Sequence, residues 1–175
     1  PLIRATGDAL GGIVVRHGGE VLTQHEAVSS QRTRDGLWLT KLKRLSDGAE
    51  VEMVLLPMGR GRQTLCISSQ VGCKMGCLFC QTGRQGFQGN LTSGEILNQV
   101  ASLPERARLT NLVYMGMGEP LANLRGTLGS LELLQHGSGA NFSSRRITVS
   151  TAGLVPGIAR LARSGVPVNL AVSLN

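Results

Sequence analysis

Three cysteines, Cys73, Cys77 and Cys80, stand at the spacing C-x3-C-x2-C in a loop punctuated by Gly72 and Gly76, and no other feature constrains the chain as tightly. Thiols this close in sequence are able to converge on one inorganic centre. A structural Zn2+ takes four tetrahedral ligands, usually from two C-x2-C knuckles. Here Cys77 and Cys80 form the one such pair, and the remaining cysteine, Cys66, lies upstream in a strand-like segment. Iron–sulfur clusters are also held by thiolates, normally four of them. A three-thiol loop therefore implies a cluster with one iron left open to a reactive ligand. Zinc stays available as the other reading, with Cys66 as its fourth ligand.

Around this loop the chain alternates strand and helix signals. Thr64 to Ser68 reads as a strand with Cys66 and Ser68 on one face. Thr92-x-x-Glu95 is a capping box, followed by Ile96, Leu97 and Val100 at helical spacing. Leu112 to Met115 is a second strand, and Leu124, Leu128, Leu131 and Leu134 give the next helix one apolar stripe, with Gly137 to end it. Ile147 to Ser150 is a third strand. Pro156 and Gly165 bracket a third helix, and Val168 to Leu174 is a fourth strand. Four strands and three helices in alternation predict an α/β fold with a parallel sheet and right-handed crossovers. Ligands in such folds sit at the C-terminal ends of the strands. The cysteine loop, Gly116 to Glu119, Ser150 and Ser173 all fall at those ends, on one rim.

Upstream the chain reads as β-hairpins. Ile13 to Val15 and Val21-Leu22 face each other across His17-Gly18-Gly19, after which the chain turns polar at Ser29-Ser30-Gln31. Leu37 to Leu39 and Val51 to Leu56 flank the turn chemistry of Ser46-Asp47-Gly48. We divide the chain into a β-rich extension, 1–58, and a core, 59–175. Glu52 alternates with Val54 and Leu56, so an acid shares a face with two aliphatics. It reads either as a wet edge-strand residue or as a carboxylate turned into a site, where desolvation fits it for proton transfer. Gly116 and Gly118 allow backbone to approach a ligand or simply make a tight turn. Ser150 and Ser173 are strand-end hydroxyls that serve equally as caps. Cys66 alone reads as a small core residue.

The formal charge of +7, with arginine in excess, favours a polyanionic partner such as RNA. Basic pairs occur at Arg32/Arg34, Lys43/Arg44, Arg60/Arg62, Arg106/Arg108 and Arg145/Arg146, and we expect Arg84, Arg145 and Arg146 to hold phosphates around the rim. Few aromatics argue against a base-stacking platform. The chain shows no signal peptide and no apolar run long enough to span a bilayer, which predicts a cytoplasmic, reduced compartment.

Several words of the sequence resemble a known family. C-x3-C-x2-C followed by Thr-Gly resembles the radical S-adenosylmethionine (SAM) superfamily. Within it, Ser-Ser-Gln-Val-Gly-Cys (68 to 73), Phe-Cys-Gln-Thr-Gly (79 to 83), Gly-Phe-Gln-Gly-Asn-Leu (86 to 91), Gly-Met-Gly-Glu-Pro-Leu (116 to 121) and Ser-Thr-Ala-Gly (150 to 153) resemble the RlmN/Cfr family, over about residues 37 to 175. That resemblance implies a partial (β/α)6 barrel and an enzyme that methylates adenine in RNA, at carbon-2 in 23S rRNA with tRNA as a second candidate substrate, or at carbon-8 in the Cfr type. It implies a 4Fe-4S cluster on Cys73, Cys77 and Cys80, SAM on the open iron, and an external electron donor. SAM contacts fall to Gly118, Glu119, Ser150, Ser173, Leu174 and Asn175, the last a position where the family usually carries His. The segment Val51-Glu52-x-Val-x-x-Pro57 matches the one bearing the family's proton acceptor, Glu52 here, and Cys66 matches the cysteine that resolves a methyl-cysteine adduct.

The family's methyl-carrying cysteine lies downstream, and no cysteine follows Cys80. The family barrel has six strand–helix units against the four strands read here. The chain is therefore expected to be a fragment that binds a cluster without completing methyl transfer. Two alternatives remain: a radical SAM enzyme with another substrate, and a non-catalytic metal and RNA-binding module.

Overall fold

The structure, a computed structural model, describes residues 4–6, 13–17, 20–44, 46–103 and 108–174. Its strands are β1 (Arg4–Thr6), β2 (Ile13–His17), β3 (Glu20–Arg32), β4 (Trp38–Arg44), β5 (Glu50–Met58), β6 (Arg62–Cys66), β7 (Gln70–Gly72), β8 (Phe87–Asn90), β9 (Asn111–Tyr114), β10 (Ile147–Thr151) and β11 (Asn169–Val172). Its helices are α1 (Gln81–Arg84), α2 (Ser93–Ala101), α3 (Leu124–Gln135) and α4 (Val155–Arg163). Nine strands form one sheet in the order β1-β2-β3-β4-β5-β6-β9-β10-β11, while β7 and β8 make a separate antiparallel ribbon.

The second half of that sheet is the α/β unit expected from the sequence. β6, β9, β10 and β11 run parallel, and α2, α3 and α4 connect them in turn. This is the partial barrel pattern of four strands and three helices. The capping box at the start of α2 is complete: Thr92 Oγ1 accepts from the Glu95 amide at 3.2 Å, and the Thr92 amide donates to Glu95 Oε2 at 2.6 Å. The leucine stripe of α3 is buried at Leu124, Leu131 and Leu134, with Leu128 packed at its margin. Burial alternates along β6, β9 and β10 where they pair. Leu65, Leu112, Ile147 and Val149 are fully buried, whereas Cys66, Val113, Thr148 and Ser150 on the opposite face are half-buried. One face is thus sealed by apolar packing and the other is left open to form the inner wall of the partial barrel.

The hairpins extend the same sheet. β5 pairs antiparallel with β6, so Glu52 lies on an interior strand rather than an edge. The polar run Ser29-Ser30-Gln31 belongs to a strand. β3 runs through it to Arg32, with Ser30 Oγ and Thr40 Oγ1 at 3.1 Å across to β4. A strand with solvent on one side tolerates such a polar run, because the ladder needs only backbone groups. Arg44 at the end of β4 ties this extension to the core. Its guanidinium donates to Asp47 on the β4–β5 turn and to Glu95 Oε1 at 2.7 Å, at the start of α2. Only 15% of the Arg44 side chain and 5% of the Glu95 side chain remain exposed. The hydrogen bond from Arg44 holds the Asp47 carboxyl down to about 2. A depressed carboxyl stabilises above its unfolded value, and that contribution is lost as the pH falls through about 2.

Replacing Arg44 leaves Glu95 buried without its countercharge. Arg44→Ala is expected to lower the unfolding free energy by about 3 kcal/mol, since breaking a buried pair leaves an uncompensated charge. Lys43→Ala, one residue away on the exposed face, should change it by no more than ~0.5 kcal/mol. Denaturant titration of the two variants checks the contrast.

Candidate active site

Beyond the end of β6 the chain folds into the β7–β8 ribbon, and residues 73 to 86 close a loop on it. The closure is tight. Gly72 has φ +70°, and a Cβ there would lie 1.7 Å from the Gly86 carbonyl oxygen, so no other residue fits. The Cys73 amide donates to that same carbonyl at 3.1 Å. Within the loop, the Cys80 amide donates to the Cys77 carbonyl at 3.0 Å, α1 follows directly, and Arg84 Nη2 donates to the Leu78 carbonyl at 3.1 Å. Lys74 stacks over the Phe87 ring at 4.2 Å, joining the loop to β8.

The three thiols of this loop are free and half-buried. Burial pushes Cys73 above the ordinary thiol range. The Met75 amide, 3.5 Å from its sulfur, works against that shift, while Cys80, Cys77 and Glu119 nearby add to it. Among the described residues no three His, Cys, Asp or Glu side chains gather round one ion-sized point. Leu78 and Phe79, 89% and 69% exposed, project from the same loop as an apolar flank.

The loop after β9 packs onto this base. Gly116 and Gly118 are demanded by the fold itself. A Cβ on Gly116 would meet the Ile67 carbonyl at 2.8 Å, and Gly118, at φ +92°, would meet Gln70 Cβ at 2.4 Å. Glu119 is 4% exposed, and backbone amides occupy both of its carboxylate oxygens: Leu121 at 3.0 Å and Ala152 at 2.8 Å. Its own amide donates to Gln70 Oε1 at 2.8 Å. The side chain therefore straps the end of β9 to the end of β10. Asn123 Nδ2 donates to the carbonyls of Ser69 and Leu91, both at 2.7 Å, and Gln99 binds the Ser68 backbone through its carbonyl and its amide at 2.7 and 2.8 Å. Gln70, Gln99 and Asn123 were not singled out in the sequence, because each acts on backbone groups some thirty or more residues away.

Register places the remaining candidates. Cys66 pairs with Val54 and Val113, and Val113 with Thr148, so these residues form one row across the open face. Two residues further toward the rim on the same face stand Glu52 on β5 and Ser150 on β10. Glu52 and Cys66 thus share the inner wall at the C-terminal end. Glu52 faces Lys41 across the ladder, with Oε1 and Nζ 3.7 Å apart. Ser68 Oγ donates to the Glu52 carbonyl at 2.6 Å and accepts from the Met117 amide at 2.8 Å, fixing β5 against the rim. Burial raises the Cys66 thiol, and a backbone bond from Met115 opposes that shift. Ser173 follows β11 on the face of Ala171, the register partner of Ser150, and its amide donates to the Thr151 carbonyl at 2.9 Å. Leu174 is 90% exposed, and Asn175 lies outside the described residues. Arg84 is on the rim side. Arg145 and Arg146 are not: they immediately precede β10 and so lie at the opposite end of the sheet.

A partial α/β barrel carrying a three-thiol loop at the C-terminal ends of its strands defines a class of enzymes that use an open-site iron–sulfur cluster. The sequence of residues 67–175 matches the family model described as the Radical SAM superfamily, and the chain belongs to that superfamily. It is 53% identical over 154 residues to a probable dual-specificity RNA methyltransferase RlmN of Rhodopirellula baltica, covering 86% of this chain and 41% of that protein. It is 58% identical over 134 residues to the dual-specificity RNA methyltransferase RlmN of Geobacter sulfurreducens, covering 77% and 37%. The crystal structure of a radical SAM methyltransferase from Sphaerobacter thermophilus superposes with a TM-score of 0.80 at 47% identity, over 86% of this chain and 45% of that one. The chain spans about two fifths of the length of the curated relatives named here.

The cofactors of this family are a 4Fe-4S cluster and SAM. The donor set fits such a cluster. A cluster spreads its thiolates over separate irons, so they need not meet at one point. Cys73, Cys77 and Cys80 stand on a loop whose ends the Gly72–Gly86 contact fixes.

Two measurements follow from this geometry. Gly72→Ala forces the loop ends apart, and iron uptake on anaerobic reconstitution should fall to a small fraction of the wild-type value with an unchanged far-ultraviolet spectrum. In a Cys73→Ser/Cys77→Ser/Cys80→Ser variant, Cys66 is the single thiol. Because folding raises its pKa, the stabilisation of its neutral form is full below the free-thiol value and is lost as pH rises through the folded value. Its alkylation by iodoacetamide should therefore rise with pH through a midpoint above that of N-acetylcysteine.

Proposed function

We propose that this chain is the cofactor-binding part of a radical SAM RNA methyltransferase that places a methyl group on carbon-2 of adenine in 23S rRNA, and in tRNA, through a methyl-cysteine intermediate. The observation that carries the reading is the shared inner wall: Glu52 and Cys66 face the same side of the sheet, at the end where the three-thiol loop is clamped. The names of the relatives support RNA as the substrate class.

In this reading Cys73, Cys77 and Cys80 hold the cluster. When bound, the cluster and SAM supply the one-electron chemistry that an aromatic carbon, a poor nucleophile, requires for methylation. The protein supplies position. Gly118 offers backbone close to the cofactor, Ser150 and Ser173 offer hydroxyls on one face, and Glu119 keeps the ends of β9 and β10 at fixed separation. Glu52 accepts the proton that leaves the methylated ring carbon. Cys66 then releases the RNA: its sulfur bonds to the sulfur of the methyl-carrying cysteine as the carbon–sulfur bond to the adenine adduct breaks. Burial raises the Cys66 thiol, so it enters this step protonated; the carbon freed from sulfur keeps the electron pair of the broken bond and takes up a proton to become the methyl group, balancing the one the thiol gives up as the sulfur–sulfur bond forms. No cysteine follows Cys80, and the scheme takes its methyl-carrying cysteine from beyond these residues.

Anaerobic reconstitution followed by electron paramagnetic resonance of the reduced chain tests the cofactor half of this reading. The expected result is a cluster signal that shifts on adding SAM, with release of 5′-deoxyadenosine, and loss of both in Cys77→Ala. Cys66→Ala and Glu52→Gln should keep both. Tight zinc with no response to SAM would instead support a non-catalytic module.

A further inference from the structure

Strand direction sorts the arginines of this chain. β6, β9 and β10 run parallel, and their N-terminal ends lie side by side: Thr64 pairs with Asn111, and Leu112 with Ile147. Arg60 and Arg62 lie at the turn into β6, Arg108 three residues before β9, and Arg145 and Arg146 directly before β10. β5 is antiparallel to β6 and β4 is antiparallel to β5, which brings the β3–β4 turn with Arg34 to the same end. All six are exposed. Four of the five basic pairs noted in the sequence thus have a described member at the end away from the cofactor rim. The fifth contains Arg44, which Asp47 and Glu95 occupy.

These guanidiniums face little opposing charge. The ion pairs among the described residues are Lys41–Glu52, Arg44–Asp47 and Arg44–Glu95, and none uses an arginine of this end. Asp35 in the β3–β4 turn and Glu132 near the end of α3 are the described acids there, on the flank and in the outer helix layer. The backbone beneath is fixed. Asn169 Nδ2 donates to the carbonyls of Arg145 and Ile147, both at 3.0 Å, and Thr110 joins the start of β9 to Gln63 through three hydrogen bonds of 2.9 to 3.0 Å. Arg60 itself holds φ +62°, a conformation that glycine or asparagine adopts more readily.

We propose that this end of the sheet is an RNA-backbone docking surface, separate from the rim that holds the cofactors. Its choice of RNA rests on the reading of the chain as part of an RNA methyltransferase. Neighbouring strands stand about 4.8 Å apart, so arginines on β6, β9 and β10 cover a width of about 10 to 15 Å. Structured RNA presents phosphates and 2′-hydroxyls across a wide, shallow minor groove, and arginine forks suit phosphate oxygens. Docking there is sequence-independent and grips the body of a folded RNA, leaving the splayed-out target adenine to the rim at the other end.

The test compares variants that remove equal charge from the two ends, on the full 175-residue chain, with an in-vitro transcribed tRNA as probe and affinity followed against salt. Arg145→Ala/Arg146→Ala and, separately, Arg62→Ala/Arg108→Ala should each make the slope of log K against log salt shallower by about 1.4 to 1.8, at ~0.7 to 0.9 per lost phosphate contact. Lys43→Ala/Arg125→Ala, at the rim end, should leave the slope within error of wild type. Equal effects from all three pairs would reduce the result to net charge and overturn the proposal. So would an unchanged slope in both arginine pairs, or a wild-type chain whose tRNA binding does not depend on salt. Cluster content and 5′-deoxyadenosine release, measured on the same preparations, report separately whether the radical SAM reading stands.

Discussion

The architecture depends on one kind of interaction: buried amide and carboxylate side chains hydrogen-bonded to backbone at the C-terminal ends of the parallel strands. Gln70, Gln99, Glu119 and Asn123 are all at most 5% exposed, and each bonds backbone groups of a segment distant in sequence. A buried polar group left without a partner costs about 1 to 3 kcal/mol, so each tie favours a single arrangement of the strand ends. Apolar packing of α2, α3 and α4 on the sheet supplies the bulk of the stabilisation but is non-directional. The polar ties give the rim its shape. Gly72, Gly116 and Gly118 belong to the same construction, because they let three backbone segments approach where a methyl group would collide.

The two ends of the sheet have opposite chemistry as a result. At the rim end stand the cysteine loop and, on the open face, Glu52 and Cys66, and the half-buried Arg44 is matched by Asp47 and Glu95. At the other end, arginines stand exposed on strand starts whose backbone is pinned by Asn169 and Thr110. A parallel sheet makes this division natural, since every strand start falls at one end and every strand end at the other. The same topology that gathers a cofactor site gathers whatever residues precede the strands.

Much of this was legible in the sequence wherever the signal was local. The Thr92/Glu95 capping box, the leucine stripe of α3 and the four-strand alternation each act within a few residues, and each is present as read. The β7–β8 ribbon was not read. Gln70-Val-Gly and Phe-Gln-Gly-Asn are short and glycine-bearing, and carry no alternation that marks a strand. The polar run 29 to 31 carries no hydrophobic signal of a strand, because its strand is stabilised by ladder bonds rather than by burial of its side chains. Glu119 read as a ligand residue, and its amide partners, one of them at Ala152, appear only once β9 and β10 lie side by side. The placement of Arg145 and Arg146 at the rim overlooked a simple rule. Residues that precede a strand in a parallel sheet lie at the end opposite the ligands.

We place the iron–sulfur site on three thiols of a clamped loop, with one iron of the cluster free of protein sulfur. Mössbauer spectroscopy of the anaerobically reconstituted, iron-enriched chain, before and after adding SAM, tests it most directly. The expected result is a 4Fe-4S spectrum with one iron distinguishable from the rest, and a change confined to that iron when SAM binds. A cluster whose irons are all alike and indifferent to SAM, or a chain that takes up zinc with Cys66 as fourth ligand, would contradict it.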